Sequence, residues 1–450
     1  CNFHISECTF EKNKAGSGGA IYYLSDWKAT SRSLLQDDEN TDYSLSVVDC
    51  IFNNNEAKEK GGAICILIYD GETPKPIKIE NCTFINNKAN ESDTGYEDGG
   101  AIYYTIRATS SSSLLLSNKK TLAIAEDFSF CVCNCTFKEN YVSYSGGAIY
   151  IFILNMKISK PIEIYQCIFD KNHADNSNEE PGDPKDGGTG SDIYYYFDCQ
   201  NEPANDYFFR ISECNFSNSK SSQKGGSLYL TVPENKRPFK PIEVNKCSFI
   251  DCTSLKNDAI YFESAFHAAF LHIDDCEFKG LSSVYINAVT CQIENSMFID
   301  IANPICYECK SSYPKEETEH LKINNCTFQQ SKNINSLVYL LSTNLPVFYF
   351  LYNNITINNK DTRVFDSPTN FDQSAGKWNF ESNWIEPPIG EYLKTKNAEN
   401  LPAICGTGFF CDIQSPSIEE SSLSSEIEIT SMQSSESYSE EPSLSSEIEI

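Results

Sequence analysis

The sequence predicts an all-β chain wound into a right-handed parallel β-helix of about 11 coils. Three observations carry this. One phrase, Cys-x-Phe-x-x-Asn followed by Gly-Gly-Ala-Ile-Tyr, returns along most of the 450 residues. Each piece of it alternates apolar and other residues with period 2, the signature of a strand with one inward face. And each piece is too short to be stable unless the next copy lies beside it.

The copies run in order. Cys8, Phe10 and Asn13 precede Gly18-Gly19; Cys50, Phe52 and Asn55 precede Gly61-Gly62; Cys82, Phe84 and Asn87 precede Gly99-Gly100. Cys135, Phe137 and Asn140 precede Gly146-Gly147, and Cys167, Phe169 and Asn172 precede Gly187-Gly188, read here with an insertion before Ile193. The phrase then erodes through Cys214-x-Phe216, Cys247-x-Phe249, Cys276-x-Phe278, Ser296-x-Phe298 and Cys326-x-Phe328. An eleventh copy is read with Ile355 and Ile357 in the Cys and Phe places. A third piece precedes Cys-x-Phe, as in Ile77-Lys78-Ile79, Ile162-Glu163-Ile164 and Ile242-Glu243-Val244. The two residues between it and the cysteine break the alternation, which places a corner there.

Stacking such coils puts like on like about 4.8 Å apart. Burial of each Phe or Ile is worth roughly 1.5–3 kcal/mol, enough when repeated to offset loop ordering. The Gly-Gly pairs allow positive φ and close backbone approach at a corner. The asparagines suit a turn, tolerating the left-handed region, and their amides can hydrogen-bond along the axis. Cysteine fits a crowded corner as a small buried side chain, so the column cysteines read as free thiols, with disulfides between coils as the alternative. Copy-to-copy spacing varies from 20 to 53 residues. The surplus falls within 88–98, 173–186, 24–45 and 105–126. These polar insertions are expected to project sideways from a rod and to carry any recognition.

The domains expected are 1–360 as β-helix, 361–413 as an irregular cap, and 414–450 as a disordered stalk or linker. The cap holds Cys405 and Cys411, the candidate pair for a local disulfide. The last stretch is rich in Ser and Glu, without Lys or Arg, and cannot bury enough apolar area to fold. The chain begins at Cys1 inside a repeat and reads as a fragment, with any signal peptide or membrane anchor lying outside it.

A net charge of −28 excludes nucleic acid as a partner and disfavours anionic lipid. No cofactor is expected. Two cysteine clusters, Cys131/Cys133/Cys135 and Cys306/Cys309, lack further ligands at metal-site spacing, so no metal is expected. Sequons at Asn81, Asn90, Asn134, Asn215, Asn325 and Asn354 are candidate glycosylation sites, in a number that chance alone would supply. Asp183, Asp186 and Asp192 form the best acidic cluster, read as a solvated loop. The histidines at 4, 173, 267, 272 and 320 show no partner at useful spacing.

Phe-x-x-Asn paired with Gly-Gly-Ala-Ile resembles the repeat signature of the polymorphic outer membrane proteins of chlamydiae, over roughly residues 1–360; similar repeats occur in protist surface proteins. The resemblance implies a right-handed β-helix at a cell surface, with adhesion to a protein or glycan as its usual role. No membrane β-barrel follows the repeats, and a Ser/Glu tail stands in its place. The alternative function is a carbohydrate-active β-helix enzyme, a polysaccharide lyase or glycoside hydrolase. It requires carboxylates converging within about 10 Å on one sheet face.

Overall fold

A computed structural model gives the fold. It describes residues 3–26, 44–69, 76–90, 97–107, 129–154, 161–176, 187–198, 209–232, 241–264, 270–288, 290–308, 321–330, 336–341, 347–357, 363–366, 377–386, 393–394 and 409–414, all within the compact unit Cys1–Ser415. Among them every element is a strand, so none offers an apolar helix able to cross a membrane.

The chain winds as a right-handed parallel β-helix, the hand expected of parallel crossovers. One full coil lays down a strand of sheet I (Ile77–Glu80), of sheet II (Thr83–Ile85), a very short one of sheet III (Lys88–Ala89) and a long one of sheet IV (Ile102–Arg107). Each pairs in parallel with its counterparts in the coils before and after. Sheet IV has 12 strands and sheet III has 6. Sheet III ends at Lys220–Ser221, where later repeats shorten.

Register is strict. Phe52, Phe84, Phe137 and Phe169 are Cα partners in sequence, and the column continues to Phe328. From Phe10 to Phe328 the stacked rings sit 4.7–5.0 Å apart with planes within 9°. The inward residues of sheets I, II and IV make one core, while Ala57, Ala89, Val142 and Ala174 fill the narrow sheet III side.

The corners come from positive φ. The residue before each column cysteine, such as Asn81, Asn134 or Gln166, has φ of 50–54° along the series. A second left-handed residue, such as Asn86, Glu139 or Lys171, precedes the conserved-pattern asparagine, so Asn13, Asn55, Asn87, Asn140 and Asn172 themselves are not the left-handed residues. They form a buried amide ladder instead. Asn55 Nδ2 and backbone N–H both donate to Asn87 Oδ1, at 2.9 and 3.0 Å, and Asn87 repeats this toward Asn140 at 3.0 Å. Asn87 Nδ2 also donates to the Phe52 carbonyl at 3.0 Å. The third corner uses glycine for two different reasons. Gly61 has φ +62°, and a Cβ on Gly62 would lie 2.1 Å from the Gly100 carbonyl oxygen.

The cysteine column is also a hydrogen-bond ladder. The Cys50 thiol donates to the Val48 carbonyl (3.1 Å), and its sulfur accepts the Cys8 amide (3.4 Å). Cys135 does the same with Cys133 and Cys82. Ser296 Oγ accepts the Cys276 amide at 3.1 Å and donates to the Glu294 carbonyl at 2.7 Å. This corrects the eleventh copy. Ile355 pairs with Phe328, and the cysteine place is taken by Asn353, whose Oδ1 accepts the Cys326 amide at 2.9 Å. An isoleucine there would leave that amide unpaired; asparagine, serine and cysteine each supply the acceptor and a donor. The nine column cysteines are all free, as are Cys65, Cys131, Cys133, Cys252, Cys291 and Cys306.

The fifth copy is corrected as well. Ile149 pairs with Ile193, and Gly147 N–H donates to the Gly190 carbonyl, so Gly190-Ser191-Asp192 stands where Gly146-Gly147-Ala148 stood. Gly187-Gly188 lies upstream of that corner, and Asp192 is a core position in place of a loop residue.

Helical pairing continues beyond 360. Lys377–Glu386, in the stretch expected to be irregular, pairs in parallel with both Val347–Leu351 and Asn354–Ile357 and joins sheets I and II; Phe409–Gln414 lies antiparallel against it. Cys405 and residues 415–450 lie outside the described residues, so the candidate disulfide and the stalk do too.

Phe137→Ala is expected to cost about 3–5 kcal/mol, as for other buried aromatic truncations. Glu139→Gly, at φ 54°, should be neutral to stabilising by up to about 1 kcal/mol. Thermal or urea midpoints of the two variants test both; equal effects would contradict the column and corner roles given them.

Candidate binding faces and buried carboxylates

Strand alternation leaves two outward faces built of side chains that stack from coil to coil. On sheet I, register aligns Lys78, Cys131, Glu163, Arg210, Glu243, His272, Gln292 and Lys322 in one outward row. The next row holds Glu80, Cys133, Tyr165, Ser212, Asn245, Asp274 and Glu294. Parallel pairing brings each charge beside the next. Arg210 binds Glu243 at 2.8 Å and Glu163 at 3.3 Å, and Glu294 meets Lys322 at 3.2 Å and His272 Nε2 at 3.5 Å. A cleft of about 380 Å³ opens over this stretch, lined among others by Arg210, Glu243, Lys246, His272 and Asp274.

Carboxylates therefore do converge on one face. They form an ion-pair ladder, with the Arg210 guanidinium between Glu163 and Glu243. Burial pushes the Glu294 carboxyl up, but hydrogen bonds from Gln292 and Lys322, with the lysine's charge, leave it below the usual range. A general acid needs the opposite shift.

Sheet IV turns a second column outward. Tyr103, Tyr150, Tyr194, Tyr229, Tyr261 and Tyr285 stack with centroids 4.7–5.5 Å apart. Each is at most 9% exposed. Lys60 lies over Tyr103 at 5.0 Å and Lys256 over Tyr285 at 4.4 Å, while Tyr229 donates to Glu263 at 3.0 Å. Because neighbouring rings cover one another's faces, the column offers edges, not the flat platform on which a sugar stacks. The Tyr that follows Ile, Leu or Val in most copies is the sequence signal for this column, and its direction away from the core is set by the strand.

The remaining sequence candidates separate in space. Asp192 is fully buried, its Oδ1 accepting from Asn172 Nδ2 (2.9 Å) and Ser219 Oγ (2.7 Å), which ends the amide ladder; Asp183 and Asp186 lie outside the described residues. His4 is exposed, His173 packs edge-on to Tyr141, and His267 and His320 lie outside the described residues. Cys131 and Cys133 point outward whereas Cys135 belongs to the inward column. Cys306 is half-buried and Cys309 lies outside the described residues. Among the described residues no group of three or more His, Cys, Asp or Glu is arranged to hold a metal. All six sequon asparagines are exposed, Asn81, Asn134 and Asn325 at left-handed corners.

Three buried carboxyls are shifted upward by desolvation, Asp98 and Asp192 to about 7 and Asp258 to about 6. Their folded values exceed the ordinary aspartate value of 3.8. The fold thus binds protons more tightly than the unfolded chain between about pH 4 and 7, and this contribution to stability is full below that window and lost as pH rises through it. Asp192→Asn should flatten that dependence, seen as a smaller drop in Tm between pH 5 and pH 8 than the parent shows; an unchanged drop would count against it.

The Chlamydia polymorphic membrane protein repeat matches at residues 7–23, 49–67, 81–105 and 134–151. No curated protein and no solved structure matches the chain. Each match runs from the left-handed corner before the cysteine to the sheet IV strand, so the repeat unit and the structural coil coincide. Four coils between residues 7 and 151 are thus similar to the Chlamydia polymorphic membrane protein repeat.

Proposed function

We propose that the chain is the rod of a cell-surface protein, that its role is adhesion to a protein or glycan partner through insertions between coils, and that it is not an enzyme. The observation that carries this reading is the tolerance of the columns. Residues 108–128 are inserted between two coils whose sheet I strands still pair residue for residue, Ile77 with Phe130 and Ile79 with Val132. A scaffold fixed by its columns can vary its insertions without altering its register, which is how recognition loops are carried. The membrane-protein character of the matching repeat supports placement at an outer membrane or cell surface. The outward sequon asparagines suit glycans, and the net charge of −28 keeps copies apart.

The carbohydrate-active alternative has one observation in its favour, the carboxylates gathered about Arg210. The ion pairs that Arg210 makes with Glu163 and Glu243 favour the rod.

Replacing 27–43, 108–128 and 177–186 together by short Gly/Ser links should abolish binding to a panel of cells, matrix proteins and immobilised glycans. The β-sheet circular dichroism should stay as in the parent. Undiminished binding by the trimmed rod would remove the insertions from the account, and release of reducing or unsaturated sugars from acidic polysaccharides would restore the enzyme.

A further inference from the structure

Cys131 and Cys133 stand apart from the thiols of the inward cysteine column. They occupy alternate positions of Phe130–Cys133, whose Phe130 and Val132 point into the core, so both sulfurs leave the sheet on its outer side. Both are nonetheless fully buried, packed with Tyr165 in a cluster of their own. The two thiols and the Tyr165 ring form a small apolar cluster separate from the main core. Register sets Lys78 and Glu163 on either side of Cys131, and Glu80 and Tyr165 on either side of Cys133. In the coils on both sides these outward places hold polar or charged residues, so neither the core nor the solvent face accounts for a pair of sulfurs here.

We propose that Cys131 and Cys133 form a two-sulfur site for a soft monovalent d10 cation, copper(I) or silver(I). Thiolates select such ions. A d10 monovalent ion is satisfied by two sulfurs in near-linear coordination, whereas zinc takes four ligands, and no third His, Cys, Asp or Glu completes a set among the described residues. Binding forms two metal–sulfur bonds and releases two thiol protons to solvent, with no change of oxidation state. The resulting single negative charge lies beside the Lys78 ammonium, which is 3.0 Å from Glu80. The side chains over the sulfurs, Lys78, Glu80 and Glu163, are long and 19–25% exposed, so they can part to admit an ion without opening a coil.

The site is tested by titrating the folded chain with silver nitrate and reading stoichiometry by native mass spectrometry, with circular dichroism confirming the fold. One silver per chain is expected to bind ahead of any other. Cys131→Ala and Cys133→Ala should each lose that first equivalent, with affinity falling at least tenfold, while Cys65→Ala, which removes a buried outward thiol of sheet IV, should keep it. If an alanine variant misfolds, Cys131→Ser and Cys133→Ser are read in its place. The proposal is overturned if the folded parent takes no silver, if the double variant keeps the first equivalent, or if Cys65→Ala loses it as readily.

Discussion

The structure rests on one constraint: in a parallel coil stacked in register, every residue meets its own counterpart from the next coil one strand spacing away. A side chain is therefore acceptable at a column position only if it is compatible with copies of itself. Phenylalanine satisfies this by offset stacking, and asparagine by being donor and acceptor at once. The same condition explains the substitutions. Ser296 and Asn353 enter the cysteine column because each accepts the amide above and donates to a carbonyl, as the thiols do. Glycine persists at Gly62 because a Cβ there would collide with the next coil.

Asp192 is where the columns change. The asparagine ladder runs from Asn13 to Asn172 and then meets a carboxyl where earlier coils have alanine, with Ser219 replacing the next asparagine. Serine is too short to continue an amide ladder, and the carboxyl oxygen fills the gap between them. The repair leaves a titratable group in the core, which makes this stretch sensitive to pH in a way the amide ladder is not.

The constraint also decides what the surface can offer. On sheet I it converts scattered charges into a chain of ion pairs, since Arg210 necessarily lies between Glu163 and Glu243. On sheet IV it turns the tyrosines of six successive coils, Tyr103 to Tyr285, into a stack whose faces are already used. Neither regular face retains much unspent chemistry, apart from the outward thiol pair. Sequence length varies between coils while the sheet I strands on either side keep their register, Ile77 with Phe130 and Ile79 with Val132.

By itself the sequence determined the β-helix, the phenylalanine and cysteine columns and the corners, because a self-stacking fold writes its contacts as a repeat in one dimension. Where the repeat weakens, its letters no longer align the residues: Asn353, not Ile355, holds the cysteine place, and Gly190, not Gly187-Gly188, makes the corner. Hydrogen-bond geometry decides those positions, and letters alone do not carry it. Only the tertiary structure decided that Asp192 is buried, that the tyrosines stack outward, and that Cys131 and Cys133 part from Cys135. Each of these depends on which way a side chain leaves its strand, and a single left-handed residue such as Asn134 reverses that direction between one cysteine and the next.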